Sequence, residues 1–198
     1  MRIIPPSAVL NTITPDAEQL IERCGRVSHR SEDKITKNSH SAFAKKMVEL
    51  GHLSVLEHAS ATFFITCSRG ISHELVRHRL ASYTQESTRY VTYNELDIVA
   101  YHPNPEMMSI LQTVGEYLEG VYKEALKHTT PQYARDVLPT CAATRLYMTA
   151  NFRQWREIIE KRCDKAAHPQ IRYIFKQILH TLNKCYPSCF EDLLVRVD

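Results

Sequence analysis

Glycine is scarce in this sequence, which holds five glycines among its 198 residues, at positions 25, 51, 70, 115 and 120. Glycines so placed cannot form the G-x-G-x-x-G turn of a Rossmann domain or the G-x-x-x-x-G-K-[ST] loop of a P-loop nucleotidase. Any phosphate group bound by this chain must therefore be held by side chains and helix N-termini.

Paired cysteines and long apolar runs are also missing. The six cysteines, at 24, 67, 141, 163, 185 and 189, include no C-x-x-C pair, which argues against a zinc ribbon and a secreted disulfide frame. No apolar run approaches membrane-spanning length, and the N-terminus, MRIIPPSAVL, is too short and too broken by proline for a signal peptide. We expect reduced thiols, no membrane association and a cytoplasmic location.

The charge is nearly balanced. Lys and Arg number 25 against 22 Asp and Glu, which leaves a formal net charge of +3, too little to demand a nucleic-acid partner. A hydrophobic content of 43% with 24% charged residues is typical of a globular protein. The length and the lack of a low-complexity break predict a single domain over residues 1–198.

Hydrophobic periodicity predicts an α+β fold. Residues 60–67, SATFFITC, alternate in side-chain character and predict a strand, whereas residues 111–125 have the spacing of a long amphipathic helix. Strand candidates lie too close in sequence for repeated βαβ crossovers. We therefore predict a small, largely antiparallel sheet with helices packed against it.

Turn and cap residues set the predicted boundaries of these elements. Thr14 is the predicted N-cap of a first helix, and Gly51 the predicted stop of a second. A helix after Gly70 is predicted to run to about Leu80, with Arg77 to Arg79 in its last turn. Residues 88–101 have strand-like composition.

The stretch Arg77 to Tyr90, RHRLASYTQESTRY, concentrates cations, hydroxyls and aromatic rings. This composition suits a site that binds an anion and a flat, hydrogen-bonding ring. A nucleic-acid surface has similar composition, because arginines bind phosphates and tyrosines stack on bases. Composition alone leaves both functions open.

Two simpler chemistries fit this stretch poorly. His73, Glu74 and His78 approach the H-E-x-x-H zinc motif, but five helical residues place the two imidazoles about 140° apart, so we predict no metal. Ser87 lacks the glycine-flanked elbow and the assigned base of a nucleophile. A hydroxyl that binds a phosphate or a ring is the better interpretation.

The spacing of Arg77-His78-Arg79, seven residues and then Ser87 resembles the RHR-x7-S signature of the flavin-dependent thymidylate synthases. Four further segments resemble motifs of that family: residues 26–28 its A-R-V-S, residues 51–58 its G-H-x-[ST]-x-x-E-H, residues 134–139 its A-R-x-x-L-P, and the segment from Asn151 to Arg162 its C-terminal binding helix. The matches follow in order from residue 26 to about residue 172.

The resemblance implies reductive methylation of dUMP to dTMP. In that family FAD is reduced by NADPH, 5,10-methylenetetrahydrofolate donates the carbon, and a homotetramer binds FAD and dUMP where subunits meet. The difficult redox chemistry belongs to the flavin, and the protein supplies orientation and charge. A divergent relative that methylates or hydroxymethylates UMP or dCMP remains an alternative, as does a nucleic-acid-binding module.

The resemblance also assigns residues by position. The FAD set comprises His52, Ser54, Glu57, Arg77, His78, Arg79, Asn151 and Arg153. The dUMP set comprises Glu74, Gln85, Glu86, Ser87, Arg89, Arg135 and Arg162. Arg162 is the predicted catalytic residue, because it can stabilise negative charge on the pyrimidine. No enzyme nucleophile is required in the family, so we predict no such role for Cys163.

The sequence departs from the family pattern at two positions that bear on FAD and folate. Ala166 stands where relatives often have a flavin-contacting histidine, and Glu157 stands where they often have Asn or His. These differences affect the details of cofactor contact.

Overall fold

Four strands form an antiparallel sheet at the centre of the fold in a computed structural model that describes residues 1–101 and 104–197. The described residues form six strands in all: β1 (Arg2–Ile4), β2 (Ser7–Ile13), β3 (Ser60–Ser68), β4 (Ser82–Gln85), β5 (Asp97–Val99) and β6 (Ala143–Asn151). The sheet has the order β2-β3-β6-β4, and β1 pairs with β5 in a separate parallel ladder. The predicted α+β fold with a small, largely antiparallel sheet is confirmed.

Helices make up most of the remaining structure. They are α1 (Ala17–Val27), α2 (Ser39–Glu49), α3 (Arg69–Leu75), α4 (Pro105–Leu126), α5 (Pro131–Ala134), α6 (Phe152–Cys163), α7 (Pro169–Cys185) and α8 (Pro187–Arg196). Short 3-10 turns span Glu32–Lys34, Leu53–His58 and Arg135–Val137. Within the described ranges, no helix combines the length and the apolar character needed to cross a membrane.

The core lies between one face of the sheet and a layer of helices. The odd-numbered side chains of β3 from 61 to 67 are buried, as their alternation predicts. Trp155 of α6 is fully buried against them: its ring centroid lies 5.2 Å from that of Phe63, and its Nε1 donates to the Ala61 carbonyl over 3.0 Å. On the opposite face, the Thr62 and Thr149 hydroxyls are 2.8 Å apart. Contacts on both faces of the sheet thus hold β3 next to β6 and α6, at the point where β6 leads into α6.

The end of α2 confirms one predicted boundary, and the start of α1 corrects another. Gly51 adopts φ +72°, and its N–H and that of His52 donate back to the Val48 and Met47 carbonyls, which is the Schellman arrangement. Thr14 does not cap α1. Its hydroxyl instead pairs with Ser60, the first residue of β3, and α1 begins later, at Ala17.

Helix α3 is shorter than predicted, and this changes the setting of the arginines that follow it. It ends at Leu75, because the N–H groups of Arg77 and His78 donate to carbonyls three residues back and so tighten the chain into a turn. The Tyr83 hydroxyl then lies 2.7 Å from the Leu75 carbonyl oxygen. The segment Arg77 to Arg79 therefore follows the helix instead of forming its last turn.

The prediction of strand over residues 88–101 is wrong for most of its length. Only Asp97–Val99 forms a strand, β5, whose parallel partner β1 lies at the N-terminus. Residues 82–85, for which no strand was predicted, pair with β6 as β4. Both results depend on partners distant in sequence, which composition alone does not reveal.

Candidate active site

Three residues of the predicted FAD and dUMP sets meet at the end of α6. The Arg162 guanidinium donates from Nη1 to a Glu74 carboxylate oxygen over 2.9 Å, and from Nε to His78 Nε2 over 2.9 Å. Its Nη2 also donates to the Glu74 backbone carbonyl over 3.2 Å. The Arg162 side chain is 20% exposed and the Glu74 side chain 38% exposed, so this cluster opens to solvent on one side.

The protonation state of His78 is set by this cluster. Burial, assisted by the positive charge of Arg162, lowers the pKa of His78 to about 4. A neutral imidazole is also what the geometry requires, because His78 Nε2 accepts a hydrogen bond from Arg162. His78 therefore acts as an acceptor that orients the guanidinium, and positive charge in its segment belongs to Arg77 and Arg79.

Tyr83 of β4 hydrogen-bonds the backbone of the segment that carries His78. Its hydroxyl lies 2.7 Å from the Leu75 carbonyl oxygen and 3.0 Å from that of His78. Burial raises the pKa of Tyr83 to about 12, so the hydroxyl stays protonated and able to donate. Tyr83 thus holds the backbone at which the Arg77 to Arg79 segment leaves α3.

Gln85, at the end of β4, is fixed by two hydroxyls. Its Nε2 lies 2.9 Å from Ser72 Oγ of α3 and 3.0 Å from Thr144 Oγ1 of β6, and both of these residues are fully buried. With both N–H groups of the amide engaged, the Gln85 carbonyl oxygen is left to accept from a ligand.

A second cluster lies beyond β4 and contains the predicted phosphate-binding arginines. Arg89 donates from Nε and Nη2 to the Gln132 side-chain carbonyl over 3.3 and 3.1 Å, and its backbone N–H donates to Ser87 Oγ over 3.3 Å. Arg135 follows Gln132 by three residues, so the two side chains share one side of this helical segment. Ser87, Arg89 and Arg135 are therefore brought to one region.

Glu86 differs from its neighbours in the dUMP set. Its carboxylate accepts from the Tyr93 hydroxyl over 2.5 Å and pairs with Arg145 Nη1 over 3.4 Å. Arg145 in turn pairs with Asp97 of β5 over 2.7 Å. Glu86 therefore belongs to an internal network that ties β5 to β6.

The remaining members of the FAD set lie at the opposite end of α6. Asn151 is the N-cap of this helix, with its Oδ1 accepting from the Gln154 N–H over 2.8 Å. Arg153 pairs with Glu57 over 2.6 Å, and both side chains are about half exposed. His52 and Ser54, which precede Glu57 by a few residues, line a cavity of about 580 Å³. Within one chain, the predicted FAD set is therefore divided between the two ends of α6.

Three arginines of the predicted sets are available for anions. Arg77, Arg79 and Arg135 are exposed, and none of them has a carboxylate within 4.0 Å in the part of the chain that the structure describes. Guanidinium groups in this state are suited to bidentate binding of phosphate. These three arginines are therefore the candidates for phosphate binding in a sequence that has no glycine-rich phosphate loop.

Cys163 directly follows Arg162 in sequence, but its thiol is buried and unreactive. The side chain is 3% exposed, and burial raises its pKa to about 11 despite the opposing charges of Lys176 and Arg172. A thiol with this pKa stays protonated at neutral pH.

Four residues outside the predicted FAD and dUMP sets orient members of those sets. Ser72, Tyr83, Gln132 and Thr144 hold functional side chains or their backbone, as described above. Tyr83 had a possible signal, since it lies inside the seven-residue spacer of the signature. The others carry no local pattern, because their partners are up to 59 residues away.

Comparisons with known proteins agree with the resemblance of the motifs. A family model described as "Thymidylate synthase complementing protein" matches residues 9–188. The flavin-dependent thymidylate synthase of Mycobacteroides abscessus is 34% identical over 212 residues, covering 96% of this chain and 85% of that protein. That of Corynebacterium efficiens is 33% identical over 213 residues, with the same two coverages of 96% and 85%.

Solved structures show the same fold at lower identity. Thymidylate synthase X (ThyX) from Helicobacter pylori, crystallised with FAD and dUMP, superposes with a TM-score of 0.81 at 20% identity, over 94% of this chain and 98% of that one. The UMP/dUMP methylase PolB from Streptomyces cacaoi, bound with 5-Br dUMP, gives 0.83 at 20% identity, over 98% and 97%. With the family match and relatives above 30% identity spanning nearly its whole length, this chain belongs to the flavin-dependent thymidylate synthase family.

Proposed function

We propose that this protein catalyses the FAD-dependent reductive methylation of dUMP to dTMP, with 5,10-methylenetetrahydrofolate as carbon donor and NADPH as reductant. The observation that carries the proposal is the convergence of Arg162 with Glu74 and His78, more than 80 residues earlier in the chain, at one partly open cluster. It is supported by the family membership of the chain.

The residues present fit a flavin dinucleotide. The unpaired Arg77 and Arg79 offer cationic groups to a pyrophosphate, which suits a protein without a glycine-rich phosphate loop. His52, Ser54, Glu57, His78, Asn151 and Arg153 complete the proposed FAD set. When bound, FAD supplies the reducing equivalents that turn a methylene into a methyl group.

The proposed dUMP set divides its work by chemistry. Ser87, Arg89 and Arg135 bind the phosphate through a hydroxyl and two guanidinium forks. Gln85 offers a fixed carbonyl acceptor to the nucleoside. Arg162 donates to the pyrimidine and stabilises negative charge that develops on the ring, an effect of about 3 kcal/mol for such donors in other enzymes.

Glu74 prepares Arg162 for this role. In the described chain its carboxylate lies 2.9 Å from the guanidinium and balances its charge. Because the cluster is partly exposed, the guanidinium can shift hydrogen bonds toward a ligand while Glu74 and His78 keep its orientation. Glu86 bonds Arg145 and Tyr93, so its proposed contribution to dUMP binding is to hold the backbone between Gln85 and Ser87 in place.

We also propose that this single domain works in the cytoplasm as a homotetramer, with FAD shared between subunits. Helix α4 supports the assembly, since it presents a stripe of apolar side chains with exposures of 38% at Met107, 55% at Ile110, 44% at Val114 and 72% at Tyr117. Spacings of three and four residues put these side chains on one helical face. A stripe of this kind is typical of a contact surface.

The test of the proposed function starts from the purified protein. The absorption spectrum should show a flavin, or acquire one after incubation with FAD. The protein is then incubated with NADPH, methylenetetrahydrofolate and dUMP, UMP or dCMP in turn, and methylated product is measured for each.

Each outcome separates one candidate function from the others. Product from dUMP supports the proposal, whereas turnover of UMP or dCMP without dUMP keeps the family and changes the substrate. A folded protein that cannot be loaded with FAD and binds single-stranded nucleic acid instead would overturn both enzymatic functions.

A further inference from the structure

A second concentration of positive charge surrounds the 580 Å³ cavity between α1, α2 and the turn at Leu53–His58. Its walls carry Arg26, Lys34 and Lys46 together with His29, and among the described residues no carboxylate lines it. We call it the basic cavity. None of these four residues belongs to the FAD set or the dUMP set.

The charge of the basic cavity is largely uncompensated. Lys34 and Lys46 are exposed, and within the described ranges neither has a carboxylate within 4.0 Å. Arg26 is partly neutralised, because it pairs with Glu22 over 2.8 Å. The cavity therefore favours a ligand with more than one negative charge.

One side of the basic cavity is apolar and aromatic. Phe43 and Met47 line it, as does Leu50, which leaves 54% of its surface exposed. The Arg26 guanidinium lies 4.8 Å from the centroid of the Phe43 ring, so a cation already stacks on this wall. A ligand that combines anionic groups with a flat or apolar linker would match both sides.

The position of the basic cavity links it to the proposed reaction. His52 and Ser54, two members of the proposed FAD set, line the same cavity. A molecule that occupies its basic side is therefore adjacent to FAD. In the proposed function, Arg77 and Arg79 bind the pyrophosphate of FAD. Arg89 and Arg135 bind the phosphate of dUMP, so the two cosubstrates remain.

We propose that the basic cavity binds the anionic tail of a cosubstrate that reacts at FAD: the glutamyl carboxylates of the folate or the phosphates of the nicotinamide dinucleotide. This inference rests on the proposed function. Lys34 and Lys46 set the affinity for the tail, and the ring that reacts lies toward His52 and Ser54.

The test compares two neighbouring lysines. Lys46→Gln removes a charge from the basic cavity, whereas Lys45→Gln removes the same charge from the side of α2 where Lys45 pairs with Glu191 over 2.7 Å. KM is measured for methylenetetrahydrofolate with one or five glutamates, and for NADPH against NADH. Lys34→Gln repeats the test with the cavity's other exposed lysine, which lies in the turn Glu32–Lys34.

In Lys46→Gln we expect KM to rise about fivefold for either the pentaglutamate folate or NADPH. The KM of the less charged counterpart, the monoglutamate folate or NADH, should rise much less. A change confined to the pentaglutamate assigns the cavity to the folate, and one confined to NADPH assigns it to the dinucleotide. Lys45→Gln should match the wild type. Unchanged ratios in both pairs, or the same change in Lys45→Gln, would overturn the inference.

Calorimetry separates this inference from the proposed function. Wild-type and Lys46→Gln protein loaded with FAD are titrated with pteroyl-pentaglutamate, pteroyl-monoglutamate, NADP⁺ and NAD⁺, none of which requires turnover. Preferential binding of a highly charged form that is lost in Lys46→Gln supports the inference even if no nucleotide is methylated. Equal binding in the two proteins contradicts it even if dTMP is formed.

Discussion

At the scale of single residues, His78 is a histidine that the fold keeps neutral. Its folded-state pKa of about 4 lies below the ordinary value of 6.5. Between these values the unfolded chain binds the extra proton, so the stability linked to His78 is complete above pH 6.5 and decreases as the pH falls toward 4. Acidification should therefore weaken the cluster that holds Arg162.

We predict that wild-type protein loses more unfolding free energy between about pH 7 and about pH 5 than His78→Gln does. Chemical denaturation of both proteins at each pH gives the difference, in which the other titrating groups largely cancel. NMR of the His78 ring offers a direct check. A ring that titrates near its ordinary pKa in the folded protein would contradict the prediction.

Arg162 and Cys163 are adjacent in sequence but should respond differently to substitution. Arg162→Ala removes a guanidinium with three hydrogen bonds to Glu74 and His78, so we expect kcat/KM to fall about 100-fold or more and dUMP binding to weaken. Cys163→Ser should be mild in turnover, because the protonated thiol has no nucleophilic role. Steady-state kinetics and equilibrium dUMP binding test both.

The two variants have a shared control in the flavin spectrum, which reports whether the site is assembled. A Cys163→Ser protein that folds and binds FAD but produces no dTMP would reverse the assignment of roles. Arg162 could be proposed from sequence because the segment from Asn151 to Arg162 resembles the family's C-terminal binding helix. Its hydrogen bonds to Glu74 and His78 were not predictable, because those residues are 88 and 84 positions away.

At the scale of elements, two glycines should respond in opposite directions to alanine. Gly51→Ala places a side chain at φ +72° at the end of α2, which should cost about 1 kcal/mol. Gly120 lies inside α4 with nothing within 4 Å of an added Cβ, so Gly120→Ala should stabilise by about 0.5–1 kcal/mol.

Denaturant unfolding of the two variants measures the change in unfolding free energy, which should be a loss for Gly51→Ala and a gain for Gly120→Ala. Equal shifts in the same direction would show that the Schellman end of α2 does not require the positive φ. FAD loading provides a second measure for Gly51→Ala, since Gly51 directly precedes His52 of the proposed FAD set.

Elements whose signal is local were predictable from sequence, and those that depend on distant partners were not. β3 and the end of α2 follow from side-chain alternation and from one glycine. By contrast, β5 exists because β1 pairs with it from the N-terminus, and β4 because β6 offers an edge. The early end of α3 likewise depends on a short turn and on Tyr83, which returns on β4.

The candidate site shows the same limit. The residues of the proposed FAD set could be assigned from their positions in the motifs. Their division between the two ends of α6 could be seen only in the structure. The rise of about 1.5 Å per residue separates Asn151 from Arg162 by about 16 Å along the helix. The proposed FAD set therefore forms two half-sites in one chain, and in the proposed homotetramer a single FAD would contact one half-site from each of two subunits.

At the scale of the whole molecule, the proposed tetramer and FAD binding should fail together. Val114→Glu places a charge within the apolar stripe of α4, where a partner subunit would bury it at a cost of several kcal/mol. We expect light scattering with size exclusion to show smaller species than the wild type. Flavin content should decrease with it, because FAD is proposed to contact more than one subunit.

Gln112→Lys is the matched control, because it introduces a charge into the same helix about 160° from Val114. Gln112 is exposed and already bonds Glu116 one turn later, so a lysine there can pair with that carboxylate. This variant should retain both mass and flavin. If Val114→Glu keeps the wild-type mass, the stripe is not a subunit contact; if it dissociates yet binds FAD fully, each chain holds the cofactor alone and the division along α6 has another cause.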